Sequence, residues 1–142
     1  MNDQYFCISG DEKSRIVGVI KTSLSKHPDI VFAYLHGSFV TEEKFRDIDL
    51  AFYLQELPPF PLQVELQLET EFGNEVRKYP VDVRILNRAP LSFQYNVIKE
   101  GLPVIVRDDD ARCNFVERTF RDYFDFAPFR KRYLKEALEG GI

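Results

Sequence analysis

Three aspartates and one Gly-Ser pair are the residues of this chain whose types and spacing could do chemistry. Asp47 and Asp49 open the run DIDLAFYL (47–54) with only Ile48 between them. If that run is a strand, its side chains alternate faces and both carboxylates point the same way. Like charges this close raise one pKa or require a cation. A D-x-D taken alone is better read as a solvent-facing strand start. Asp82 changes the reading, because it stands in VDVRIL (81–86), the next apolar run that reads as a strand. Were the two strands neighbours, Asp82 would join the other two. Three carboxylates from adjacent strands form a hard, oxygen-rich cluster suited to Mg²⁺. Such a cluster has room for two ions that bridge a triphosphate and activate an attacking hydroxyl.

Gly37 and Ser38 supply the complementary half. They end the apolar run IVFAYLH (30–36) and precede the D-x-D by the loop FVTEEKFR. Glycine at a strand end lets the backbone turn sharply and approach a ligand closely. The turn's N–H groups and the Ser38 hydroxyl could then bind phosphate oxygens, helped by the positive end of any helix starting there. Arg84, two residues past Asp82, should share its face; a phosphate contact and a simple acid pairing both remain open. Arg46, beside Asp47, is either a phosphate contact or a solvated loop charge. His36 precedes the turn, faces away from Gly37's direction and reads as structural.

The elements that must position these residues follow from periodicity. Ile16, Val19, Ile20 and Leu24 mark a helix over 11–26, with Asp11 and Glu12 at its acidic start. Strands are expected at 30–36, 47–54, 81–86 and 103–108. Pro58, Pro59 and Pro61 break the chain before a helix over 62–79, whose stripe is marked roughly by Leu62, Leu66, Glu69 and Phe72. A short helix over 91–101 stops at Gly101. Residues 109–139 read as a helical tail bent at Pro128. Phe115, Phe120, Tyr123, Phe124, Phe126, Phe129 and Tyr133 crowd that tail. Most should pack in the core, with the remainder, beside Arg130, Lys131 and Arg132, available to a partner. The order predicts an α+β fold, close to α/β: a small mixed central sheet flanked by helices. One domain is expected over 1–142, with its core at about 11–108.

Composition excludes several classes. The net charge of the 142-residue chain is −4, with acids and bases interspersed, which argues against nucleic acid as a direct partner. No apolar run is long enough to span a membrane, and the start MNDQYFCISGDEK lacks the layout of a secretory signal. A cytoplasmic protein is expected. Cys7 and Cys113, the two cysteines, match no zinc spacing and read as reduced thiols.

The pattern H-G-S, a loop of eight residues, D-I-D-L and a later V-D-V resembles the DNA polymerase β-like nucleotidyltransferase superfamily. The stretch LNRAPLSFQYNVIKEGLPVIVRDDDAR (86–112) looks like the downstream half of its minimal members, the MntA-like antitoxins encoded beside HEPN-type RNase toxins. The resemblance covers roughly residues 15–140 and implies a polymerase β palm-like fold. It also implies that Asp47, Asp49 and Asp82 are catalytic and hold two Mg²⁺ ions, and that Gly37 and Ser38 bind the triphosphate of ATP. The implied activity is transfer of AMP to a tyrosine hydroxyl of a HEPN toxin, silencing it in a hetero-oligomer. The loop between Gly-Ser and D-x-D is shorter than the group usually carries, and Arg46 stands where a small polar residue is common. A contact-only antitoxin with a vestigial site and a small-molecule nucleotidyltransferase are the alternatives.

Overall fold

The computed structural model describes residues 4–139, the side chains of 126–131, 133, 134 and 136–139 excepted. The elements run β1 (Phe6–Cys7), α1 (Gly10–Leu24), β2 (Ile30–His36), α2 (Ser38–Thr41), β3 (Lys44–Phe45), β4 (Ile48–Leu54), α3 (Pro61–Val76), β5 (Val81–Ile85), α4 (Leu91–Glu100), β6 (Leu102–Val106) and α5 (Asp109–Glu139). Four strands form a sheet in the order β5-β4-β2-β6. β4 pairs parallel to β5, whereas β2 pairs antiparallel to both β4 and β6. The expected mixed sheet flanked by helices is therefore the architecture. β1 and β3 form a separate antiparallel pair.

β2 and β4 are nearly continuous apolar runs because both faces of the sheet are covered. On one face lie α1 and α3. Ile16, Ile20 and Leu24 of α1 and Leu68, Phe72 and Val76 of α3 pack with Leu35, Leu50, Phe52 and Val83 of the strands. On the other, Phe32, Tyr34 and Ala51 meet Leu86, Val97 of α4 and Phe115 of α5. Each such fully buried large apolar side chain contributes about 1.5–3 kcal/mol. The α3 stripe differs from the expected one: Leu62 and Leu66 are 66% and 54% exposed, while Leu68, Phe72 and Val76 are buried. Apolar residues occur on two sides of this helix, and the sheet selects one of them.

Local chemistry fixes the ends. Ser9 caps α1 by accepting from the Glu12 backbone N–H at 3.1 Å. Arg107, just past β6, donates to the carbonyls of His27 (2.8 Å), Ile30 (2.7 Å), Leu24 and Ser25 (both 3.3 Å). One guanidinium thus serves the carbonyl-rich end of α1 and the entry to β2. Gly101 allows α4 to close against the sheet, since a Cβ there would meet the Val97 carbonyl at 2.3 Å and the Leu35 carbonyl at 3.0 Å.

The loop expected over 39–46 is more ordered than a polar linker. It holds α2 and β3 and buries Phe39 and Phe45, which meet edge to face at 5.0 Å. In the tail, Phe115 is buried against Phe32 and Tyr53, and Tyr123 stacks on Tyr95 of α4 at 3.7 Å. Phe124 stays 57% exposed. The side chains of Phe126, Phe129, Arg130, Lys131 and Tyr133 lie outside the described residues, while the backbone of α5 runs on as a single helix past Pro128, where a bend is expected from the sequence. Cys7 and Cys113 are free and exposed. Among the described residues no helix is long and apolar enough to cross a membrane.

Candidate active site

The strand register assembles the carboxylates. Asp49, the second residue of β4, is paired with Asp82 of β5 on one side and with His36 of β2 on the other. Residues paired across a sheet share a face, and neighbouring strands lie about 4.8 Å apart. His36, Asp49 and Asp82 therefore form one row across three strands. Asp47 precedes β4 by one residue and is close enough for its charge to act on Asp49. All three expected carboxylates thus belong to one neighbourhood.

Gly37 closes over this row. Its backbone adopts φ 76° and ψ −162°, a region open essentially to glycine alone. A Cβ at this position would stand 2.2 Å from Asp49 Oδ2. The turn leads directly into α2, where the Gly37 carbonyl accepts from the N–H groups of Val40 (3.0 Å) and Thr41 (3.1 Å). Ser38 is the first residue of that helix. The first N–H groups of a helix have no intrahelical partner, so Ser38 and the turn present donors beside Asp49.

The electrostatics record an excess of negative charge. Burial, followed by the charges of Asp82 and Asp47, pushes Asp49 up to about 6, with Arg84 pulling the other way. Asp82 is also raised, by burial first and then by Glu69 of α3, against the opposing charges of Arg84 and His36. Burial holds His36 down at about 4, with Arg84 adding to the depression and Asp82 opposing it. At neutral pH the ring is uncharged. It packs edge-on against Phe93 of α4 at 5.4 Å, and its Nε2 is buried with no hydrogen-bond partner among the described residues.

His36 does pack, but on the carboxylate face, because its place in β2 gives it the register of Asp49. Arg84 shares the face of Asp82 as expected, and its guanidinium lies over the Phe93 ring at 5.6 Å. Arg46 is set apart: it is exposed and lies over the Tyr5 ring at 5.8 Å. A cleft of about 650 Å³ opens beside Arg84, lined also by Pro58, Pro61, Glu65, Arg88 and Pro90. The aspartates border none of it. Phe93 and Glu69 were not singled out from the sequence as site neighbours. Phe93 carries no chemical signal, but Glu69 repeats Glu65 at a spacing of four in a helix facing an edge strand, which is a readable one.

The donor set suits a hard divalent cation. Among the described residues no three His, Cys, Asp or Glu side chains converge into a ready-made cage. Mg²⁺ does not ask for one: it is usually held by one or two carboxylates, with water and substrate phosphates completing its shell. The Asp49–Asp82 pair, the nearby Asp47 and the phosphate-sized approach left open by Gly37 fit that requirement.

Comparison with known proteins agrees with this geometry. A sequence model of the family described as Polymerase beta, Nucleotidyltransferase matches residues 19–110, which holds every residue of the row. This chain belongs to the polymerase β nucleotidyltransferase family. No curated protein matches it in sequence. Solved structures similar to this nucleotidyltransferase chain include an MntA–HepT toxin–antitoxin (15% identity, TM-score 0.66), covering 92% of this chain and 99% of the other. A toxin–antitoxin with AMP-PNP is 18% identical, with a TM-score of 0.68 and coverage of 89% and 98%. A tri-AMPylated HEPN toxin in complex with MNT antitoxin from Shewanella oneidensis is 16% identical, with a TM-score of 0.66 and coverage of 89% and 96%. At these identities the likeness establishes the shared fold.

Proposed function

We propose that this chain is a cytoplasmic nucleotidyltransferase antitoxin that moves AMP from ATP to a tyrosine hydroxyl of a HEPN-type RNase toxin and thereby silences it. The observation that carries the reading is the pairing of Asp49 with Asp82 beneath the Gly37 turn. The proposed partner is supported by the fold shared with toxin–antitoxin complexes, one carrying AMP-PNP and one holding a tri-AMPylated HEPN toxin, and the tyrosine acceptor is what the family resemblance implies.

In this reading Asp47, Asp49 and Asp82 hold Mg²⁺, which when bound neutralises the triphosphate and acidifies the acceptor hydroxyl. The Gly37 turn and Ser38 bind the phosphates, and Arg84 offers a further cation on the same face. Asp82 favours loss of the acceptor's proton. The acceptor oxygen bonds to the α-phosphorus, the bond to the β-phosphate oxygen breaks, and pyrophosphate leaves. Nearly all of the catalysis is positioning and charge compensation, so few other side chains are needed.

A contact-only antitoxin is the second reading, favoured by the eight-residue loop between Ser38 and Asp47. Incubation with α-labelled ATP, Mg²⁺ and the HEPN protein separates the two. Labelled toxin is expected from the native chain. A tight, inhibitory complex without label would establish the second.

A further inference from the structure

β5 is an edge strand: β4 covers one side of it and, among the described residues, no strand covers the other. Its outward N–H groups include those of Val83 and Ile85, since alternate residues of a strand point their amides to opposite sides. Unpaired edge amides are a liability for position as well as for solubility. Two side chains of α3 serve the amides of Val83 and Ile85. Glu69 Oε1 accepts from Val83 N at 3.0 Å, and Glu65 Oε2 accepts from Ile85 N at 2.9 Å. The geometry is matched: four helical residues advance about 6 Å, and two strand residues about 6.6 Å. Glu69 therefore grips the amide immediately after Asp82.

We propose that Glu69 is a positioning residue, a side-chain stand-in for the missing neighbour strand that fixes Asp82 in register opposite Asp49. The inference rests on the adenylyl-transfer reading for its activity readout, while its structural readout stands alone. An acceptor in reach of Val83 N is what the role requires, and negative charge is not.

Two conservative variants divide reach from charge. Glu69→Gln keeps an oxygen at the same reach and removes the charge. Glu69→Asp keeps the charge and withdraws the acceptor by one methylene. Hydrogen exchange of the Val83 amide is measured by NMR in each, together with the kcat and KM for ATP of transfer to the HEPN protein. The expected result is native-like Val83 protection in Glu69→Gln, with kcat within about threefold of native, and in Glu69→Asp exchange at least tenfold faster, kcat at least tenfold lower and KM for ATP within about twofold. Glu65→Asp, whose native side chain holds the amide two residues farther along β5, should speed exchange at Ile85 and leave kcat within about twofold. Equal damage from Gln and Asp, or a Glu69→Asp protein with native Val83 protection and native kcat, would overturn the role. A native protein that transfers no AMP would defeat the adenylyl-transfer reading, and the exchange data would still decide whether Glu69 holds the strand.

Discussion

Replacing Gly37 by alanine should injure stability and activity through two separable effects. The backbone at φ 76° and ψ −162° costs a side-chain-bearing residue about 1–3 kcal/mol. The new methyl would also stand 2.2 Å from Asp49 Oδ2, so the carboxylate or the turn must retreat by about 1 Å. Such overpacking costs a further ~1–3 kcal/mol, and a displacement of that size at a reacting centre costs about 10²-fold in rate. A total destabilisation of about 2–6 kcal/mol is expected. Truncation of Asp49 to alanine removes the atom that the methyl meets. In an Asp49→Ala background, Gly37→Ala should therefore cost only the backbone part. Urea unfolding of the four proteins in this cycle gives the coupling, expected to be about 1 kcal/mol or more in the sense that the double variant is less damaged than the sum. Additivity within about 0.5 kcal/mol would refute the close approach of Gly37 to Asp49. So would a Gly37→Ala protein that transfers AMP at the native rate.

Further outcomes follow from the same structure. Asp49 binds its proton more tightly when folded, near 6 against an ordinary 3.8, so without a cation its contribution to stability falls as pH rises from about 4 to 6 and is flat above. Asp49→Asn should be more stable than the native protein at pH 7 by on the order of 1–2 kcal/mol after allowing for solvent screening, an advantage that added Mg²⁺ narrows; urea midpoints with and without Mg²⁺ test this. His36, held near 4, has the opposite sign: its contribution is complete above about 6.5 and is lost as pH falls towards 4, and its ring resonances in NMR should report a neutral imidazole at pH 6. Arg107→Lys should destabilise by about 2–3 kcal/mol in urea titrations, because an ammonium cannot span the carbonyls of Leu24, Ser25, His27 and Ile30. A loss below 0.5 kcal/mol would show that clamp to be dispensable.

The parts of this molecule legible in its sequence are those with long, unambiguous patterns. IVFAYLH, DIDLAFYL and VDVRIL read as strands because each is a sustained apolar run, and Asp82 could be tied to Asp49 because both open such runs. β1 and β3 escaped because two residues carry no period. The loop between Ser38 and Asp47 gave no apolar period because Phe39 and Phe45 are separated by the polar stretch TEEK, yet both are buried. The buried side of α3 depended on which face the sheet would claim, a tertiary choice that spacing alone could not make. Arg46 and His36 show the same limit at the site. A position beside a motif fixes neither the reach of an arginine, which here lies over Tyr5, nor the strand register that brings a histidine level with Asp49.

The central claim is that the row of carboxylates under Gly37 transfers AMP. The most direct measurement incubates the chain with α-labelled ATP, Mg²⁺ and the HEPN-type toxin proposed as its partner, in parallel with an Asp47→Ala/Asp49→Ala variant shown by circular dichroism to be folded. The account predicts label on a tyrosine of the HEPN protein with the native chain, and none with the variant. Label that persists in the variant, or a native complex that blocks the partner without transferring label, would contradict it.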